Sequence, residues 1–356
     1  MTDAFIFAAN AIFPIILMIV LGYLLKRSGM LTKNFLDVGN KLTFRVLIPA
    51  LLYYNVYGIG SLKEINFTFV LYGVVAVLVI FFLAIAITCA FTKDNAKRGV
   101  LIQAMFRSNY AIIGLPLASS LFGEKGAAAA GIMSAFCVPL FNVLSVVALT
   151  VFHGEKAQEG QPAHGAGNGT AGKSRTPHAK DKIDFKKILA GIIKNPLIVA
   201  TLLGLVTLAI REFFVYMGIG FRLANIQFLY KSLENVKSIC TPFALIVLGG
   251  RFEFSAVSKL WKEIVFGTLI RTVAVPVLGL TTAYLIRNLV VPNFGGEHFA
   301  TFIGVFATPV AVASAIMAKE MDADDELAGQ LVVWTSLIST VTIFIYVTVL
   351  RAAGIF

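Results

Sequence analysis

Charge is scarce in this chain. Lysine, arginine, aspartate and glutamate make up 14% of its 356 residues, against about 25% in soluble domains, so an ordinary soluble globular protein is excluded. Acid is the scarcer sign, with 19 Asp and Glu against 30 Lys and Arg. Cysteine is almost missing. Cys89, Cys137 and Cys240 all fall inside apolar runs, where a thiol behaves as a small hydrophobe, so neither a disulfide framework nor a cysteine-based zinc site is expected. The four histidines, His153, His164, His178 and His298, lie in loops or at the ends of apolar runs, and no His-Glu-x-x-His zinc helix occurs. An enzyme, an ATP-driven pump, a metal and a cofactor are accordingly not expected.

What fills the chain is apolar, 58% of it. The apolar runs each reach about 20 residues, the length a helix needs to cross the roughly 30 Å of bilayer hydrocarbon. Runs such as Phe67 to Phe91 do not alternate, which excludes a β-barrel built from strands of about 10 residues. The reading is an all-α polytopic membrane protein with ten spans, near 4–26, 36–58, 67–91, 98–121, 126–152, 187–210, 226–250, 259–287, 298–319 and 327–351. The first run lacks a basic leader and a small-residue cleavage site, so it reads as a membrane helix rather than a signal peptide.

The surplus of positive charge could suggest nucleic acid, but the basic residues sit in short loops flanking the spans, where membrane orientation explains them. No nucleic-acid partner is expected. Lys26, Arg27 and Lys33 follow the first span, Lys93, Lys97 and Arg98 the third, and Lys173, Arg175, Lys180, Lys182, Lys186 and Lys187 the fifth. The positive-inside rule puts those loops in the cytoplasm and both termini outside the cell (inner) membrane. The intervening loops around Lys63, Glu124 and Glu297 carry few basic residues.

Residues 154–182 are rich in Gly, Ala, Lys and polar side chains, too poor in apolar surface to fold, and read as a flexible cytoplasmic linker. The Asn168-Gly169-Thr170 glycosylation pattern within it is then accidental. Ile183 to Lys194 follows with apolar and basic residues at helical spacing, as at a membrane interface. The linker separates five spans (1–153) from five more (183–356). An odd number reverses the second set, which is the arithmetic of an inverted repeat.

Interruptions fall at matching places. Pro49 interrupts the second span and Pro242 the seventh; Gly114-Leu115-Pro116 interrupts the fourth and Thr308-Pro309 the ninth. A proline removes a donor and frees a carbonyl, so paired breaks line cavities and point to a transport site. Arg107, Ser108 and Asn109 lie about nine residues past Arg98, roughly 14 Å along a helix, near the bilayer centre. A half-helix beginning there offers free N–H groups and a positive dipole end that suit a carboxylate, and Asn109 supplies both donor and acceptor. The plainer alternative is a pair of kinks satisfied by neighbouring helices.

Arg45, Arg107 and Arg271 fall near mid-span, where a charge must face a cavity or a partner. Arg45 and Arg271 are read chiefly as caps on backbone carbonyls or partners of acids, Arg107 as an anion attractor. Glu234 is expected to pair with Lys231 or Lys237.

At these residues the chain resembles the auxin efflux carrier family, which holds the plant auxin carriers and bacterial relatives. Asn109 through Gly114 and Pro116 is similar to the family's Asn-x-x-x-x-Gly-x-Pro crossover, and Ala307-Thr308-Pro309 with Ala318-Lys319-Glu320 to its ninth helix. Echoes run through both halves at Pro14, Asn40-Lys41, Pro49-Ala50-Leu51-Leu52, Lys194-Asn195-Pro196, and Pro242 with Gly249-Gly250. The resemblance implies ten helices in two inverted five-helix repeats of bile-acid-symporter-like fold, with helices 4 and 9 broken and crossing. It also implies a homodimeric scaffold of spans 1, 2, 6 and 7 against which the remaining spans slide as an elevator. Asn109 would bind the substrate carboxylate, with Ser108, Arg107, Thr308, Pro309 and Val310 around it, and Pro116 and Pro309 would shape the crossing. Ser108 stands where plant members have Pro, and Val310-Ala311 where they have Gln-Gly, which points to a small mono- or dicarboxylate such as malate or malonate, or another auxin-like weak acid. The expected function is secondary transport of that anion, coupled to H+ or Na+ or to neither. An anion channel or a membrane ligand sensor is the alternative.

Overall fold

A computed structural model describes residues 2–58, 66–152, 194–289 and 294–356, with side chains from Phe13 onward. The linker, its glycosylation pattern and nearly all of the interfacial stretch before Lys194 lie outside the described residues. Among the described residues the chain is helical without strands: α1 (Thr2–Arg27), α2 (Lys33–Leu42), α3 (Ile48–Tyr57), α4 (Phe67–Phe91), α5 (Asn95–Phe106), α6 (Leu115–Val151), α7 (Pro196–Tyr216), α8 (Gln227–Arg251), α9 (Ser255–Leu269), α10 (Val275–Leu289), α11 (Gly296–Phe306), α12 (Val312–Glu320) and α13 (Asp325–Ala352). Among the described residues five helical runs are long and apolar enough to cross a membrane: Phe67–Phe91, Tyr110–Val151, Pro196–Tyr216, Ser255–Leu289 and Asp325–Ala352; the second is two helices, parted by non-helical backbone at Phe122 and Gly123 within α6.

The environment can be read from α4. Asn66 Oδ1 caps its start by accepting the Phe69 N–H at 3.1 Å. Its buried side chains, Phe69, Gly73, Val77, Ile80, Ala84 and Thr88, recur at helical spacing, yet Leu71, Val75, Val79 and Phe82 on the other side are apolar and exposed. A helix in water would turn charge outward. This one faces hydrocarbon.

Three π-helical turns, Thr43–Leu47, Tyr110–Gly114 and Ile270–Ala274, each stand two residues before a proline: Pro49, Pro116 and Pro276. The cause is local. Proline has no N–H for the carbonyl four residues back and its ring clashes with it, so the helix widens by one residue to pass. At Pro276 the freed carbonyl belongs to Thr272, and the Tyr346 hydroxyl of α13 donates to it at 2.9 Å. Pro242, by contrast, sits inside a continuous α8, so the matched prolines of the second and seventh spans do not produce matched backbones.

Glycines set the closest crossings. A Cβ on Gly22 of α1 would stand 2.2 Å from the Ile246 carbonyl oxygen, and one on Gly249 of α8 2.0 Å from that of Ile19, so α1 and α8 touch backbone to backbone. A Cβ on either Gly114 or Gly304 would lie 2.8 Å from the other's Cα. That contact brings the helix after the first break against α11, and it fixes the site.

Candidate functional site

α5 stops at Phe106 and α11 at Phe306, and the two interrupted strands of backbone meet between them. Ser108 and Val310 form an antiparallel bridge: the Asn109 N–H donates to the Pro309 carbonyl at 2.8 Å and the Ala311 N–H to that of Arg107 at 3.4 Å. Broken helices thus satisfy one another where no water is available.

Four half-helix ends converge on this joint. The C-terminal ends of α5 and α11 are closed by Arg271, which is fully buried. Its Nε and Nη2 donate to the Thr308 carbonyl at 2.9 and 2.7 Å, Nη2 also to Val305 at 3.2 Å, and Nη1 to Met105 at 3.1 Å. Arg271 therefore caps carbonyls, as expected, and is not part of the lining of the central cavity. The two starting ends are open. Neither Asn109, which begins the turn leading into α6, nor Ala311, which begins α12, makes a side-chain cap.

Those open ends face a cavity of about 70 Å³ lined by Arg107 to Ile112, Ala311 to Ala313, Asn142 of α6, Ile48 and Leu52 of α3, and Thr241 and Ala244 of α8. Its polar lining is short of partners. Ser108 Oγ, Asn109 Nδ2 and Asn142 Nδ2 are buried and make no hydrogen bond. Arg107 donates through Nη2 to Asn142 Oδ1 at 2.8 Å and through Nη1 to the Met317 sulfur. Among the described residues no carboxylate pairs with Arg107 or Arg271. The site is electropositive, rich in donors and lacking its acid.

Three expected residues lie elsewhere. The Thr308 hydroxyl donates to the Gly304 carbonyl at 2.7 Å, the Pro309 carbonyl accepts from Asn109, and the Val310 N–H donates to Thr335 Oγ1 at 3.1 Å. They hold the joint from behind, and Ala311, Val312 and Ala313 take the cavity face. Asn142 was not foreseen; a lone amide inside an apolar run is the signal that marks it. Arg45 is exposed and caps nothing among the described residues. Glu234 accepts from Lys231 at 2.8 Å. Outside the described residues, Gly167 to Ser174 has the spacing of a phosphate-binding loop. Such a loop needs a strand before it and a helix after it, and its glycine-rich flanks carry no strand pattern.

A multi-pass helical chain with two broken helices bound to each other around a buried, donor-lined cavity defines a membrane transport protein. The chain belongs to the membrane transport protein family, whose model matches residues 7–347, and this is the auxin-efflux-carrier-like family that its motifs resemble. It is 22% identical over 342 residues, 95% of this chain and 97% of the relative, to an uncharacterized transporter of Methanocaldococcus jannaschii.

Proposed function

We propose that the protein is a secondary transporter of a small organic anion whose carboxylate binds between the two open half-helix starts. The observation that carries this reading is the set of unpartnered donors, Ser108 Oγ, Asn109 Nδ2 and Asn142 Nδ2, beside a buried arginine with no acid. A carboxylate accepts several such bonds at once, and two helix N-termini add dipole charge of the right sign. The cavity of about 70 Å³ is several times the roughly 10–15 Å³ that one water needs. It takes a carboxylate head and leaves the remainder of a malonate- or malate-sized acid in the wider space beyond.

The cavity shares Leu51, Ala111, Ile112 and Thr241 with a vestibule of about 520 Å³ between α3, α6 and α8. It shares no lining residue with a second space of about 520 Å³ around Lys26, Lys33 and Arg251. In the wall of that space, Asn40 Nδ2 donates to Glu320 at 2.8 Å, and Arg251 joins Asp37 to Asp325. With the basic loops placed in the cytoplasm, this conformation is open outward and latched inward. Residues 1–153 and 183–356 act as inverted repeats, and α4 to α6 with α9 to α13 move as an elevator against α1 to α3, α7 and α8, in a homodimer.

The test is uptake of labelled malonate, malate and indole-3-acetate into proteoliposomes under imposed proton, sodium and voltage gradients, with wild type and Asn109→Ala. Saturable flux of one acid that falls at least tenfold in the variant is expected. Normal transport by the variant removes the crossover site, and flux that never saturates makes the protein a channel.

A further inference from the structure

The vestibule that opens onto the central cavity is lined by apolar and polar residues with one charge among them. Asn55, Ser134, Ser238 and Thr241 contribute the polar side chains, and Lys237 is the charged residue among the described lining. Lys237 lies ten residues into α8, about 15 Å along the helix, and is half-buried. A lysine at such depth must reach water or a partner. Its Nζ stands 4.1 Å from the centroid of the Tyr54 ring, which also lines the vestibule. The nearby carboxylate, Glu234, is held by Lys231. One helical turn separates Lys237 from Thr241, which among the four residues shared by vestibule and central cavity is the one with a polar side chain.

We infer that Lys237 forms a capture site, where the anion binds before its carboxylate passes Thr241 to reach Asn109. The inference rests on the proposed anion transport and adds a residue and a sidedness to it. A single positive charge in a concave, protein-walled vestibule focuses the field and raises the local concentration of anions. The aromatic face of Tyr54 holds the ammonium without neutralising it, so it stays available to the anion. The α8 helix then supplies the first two donors of the path, the Lys237 ammonium and the Thr241 hydroxyl, and Asn109 the amide that ends it.

Two measurements decide it. In a cysteine-free background carrying Ser238→Cys, modification by an anionic and a cationic methanethiosulfonate reagent reads the field of the vestibule directly and needs no transport. The anionic reagent is expected to react faster, the preference to vanish with Lys237→Gln and persist with Lys237→Arg, and malonate to slow the reaction only where the cation is present. In oriented proteoliposomes, Lys237→Gln is expected to raise the malonate KM about tenfold from the vestibule side alone, weaken its salt dependence, and leave the maximal rate unchanged. Equal reagent rates with and without the lysine overturn the inference, as does an unchanged KM in a protein that still transports. Loss of malonate flux in the wild type itself, with the reagent preference intact, refutes the anion-transport reading and, with it, capture as the role of Lys237.

Discussion

Arg271→Met is the substitution whose outcome the structure specifies most fully. Each half-helix C-terminus carries about half a negative elementary charge, so a single guanidinium matches the ends of α5 and α11 together and is compensated without a carboxylate. Methionine keeps an unbranched side chain, two atoms shorter, and removes all four bonds to the Met105, Val305 and Thr308 carbonyls. Each bond from a charged donor is worth about 1.5–3 kcal/mol, and part of the loss is offset because a buried charge no longer has to be desolvated. Leaving those buried carbonyls without their donor costs about 1–3 kcal/mol each, together a large share of the roughly 5–15 kcal/mol typical of a folded domain. Thermal unfolding in detergent is expected to show a clear drop in midpoint, and substrate binding to weaken more than tenfold because the bridge loses its support. Arg271→Lys restores the charge but not the planar fork and is expected to fall between. An Arg271→Met protein with the wild-type midpoint and affinity would refute a crossover held together by this guanidinium.

Two further outcomes follow from the same geometry. Gly304→Ala places a methyl 2.8 Å from the Gly114 Cα, backbone that cannot rotate away, so both thermal midpoint and transport rate are expected to fall, whereas Gly329→Ala, 3.3 Å from a Leu248 methyl, should be tolerated in the same two assays. Asn142→Asp gives Arg107 its missing acid at the position of a 2.8 Å bond; stability should hold or rise while anion binding, followed by titration calorimetry, is lost.

The membrane helices were legible because hydrocarbon leaves a continuous apolar run that no other environment produces, as in Phe67–Phe91. The break at Thr308-Pro309 was legible because proline chemistry is local; in the fourth span the helix gives way earlier than expected, at Arg107 to Asn109, and Gly114-Leu115-Pro116 stays helical, Pro116 producing only the π turn before it. The division of labour within the two breaks was not legible. Which of Thr308 to Ala313 faces the cavity depends on the bridge to Ser108, a contact about 200 residues away in sequence whose register composition does not encode. Pro276 shows the same limit: its π turn could be anticipated from its ring, but the Tyr346 hydroxyl that satisfies the freed carbonyl comes from another helix. Asn142 went unread because one amide in the apolar helix that follows the Phe122–Gly123 break has no spacing to analyse.

The bridge between residues 108 and 310 is made of main chain on both sides. A knot tied in peptide groups is indifferent to which side chains hang from it, so substitutions at 107–109 and 311–313 can re-specify the cargo while the knot stays tied. Lineages that agree in little more than a fifth of their residues, as this chain and its archaeal relative do, can then keep one crossing and fit it with different sockets.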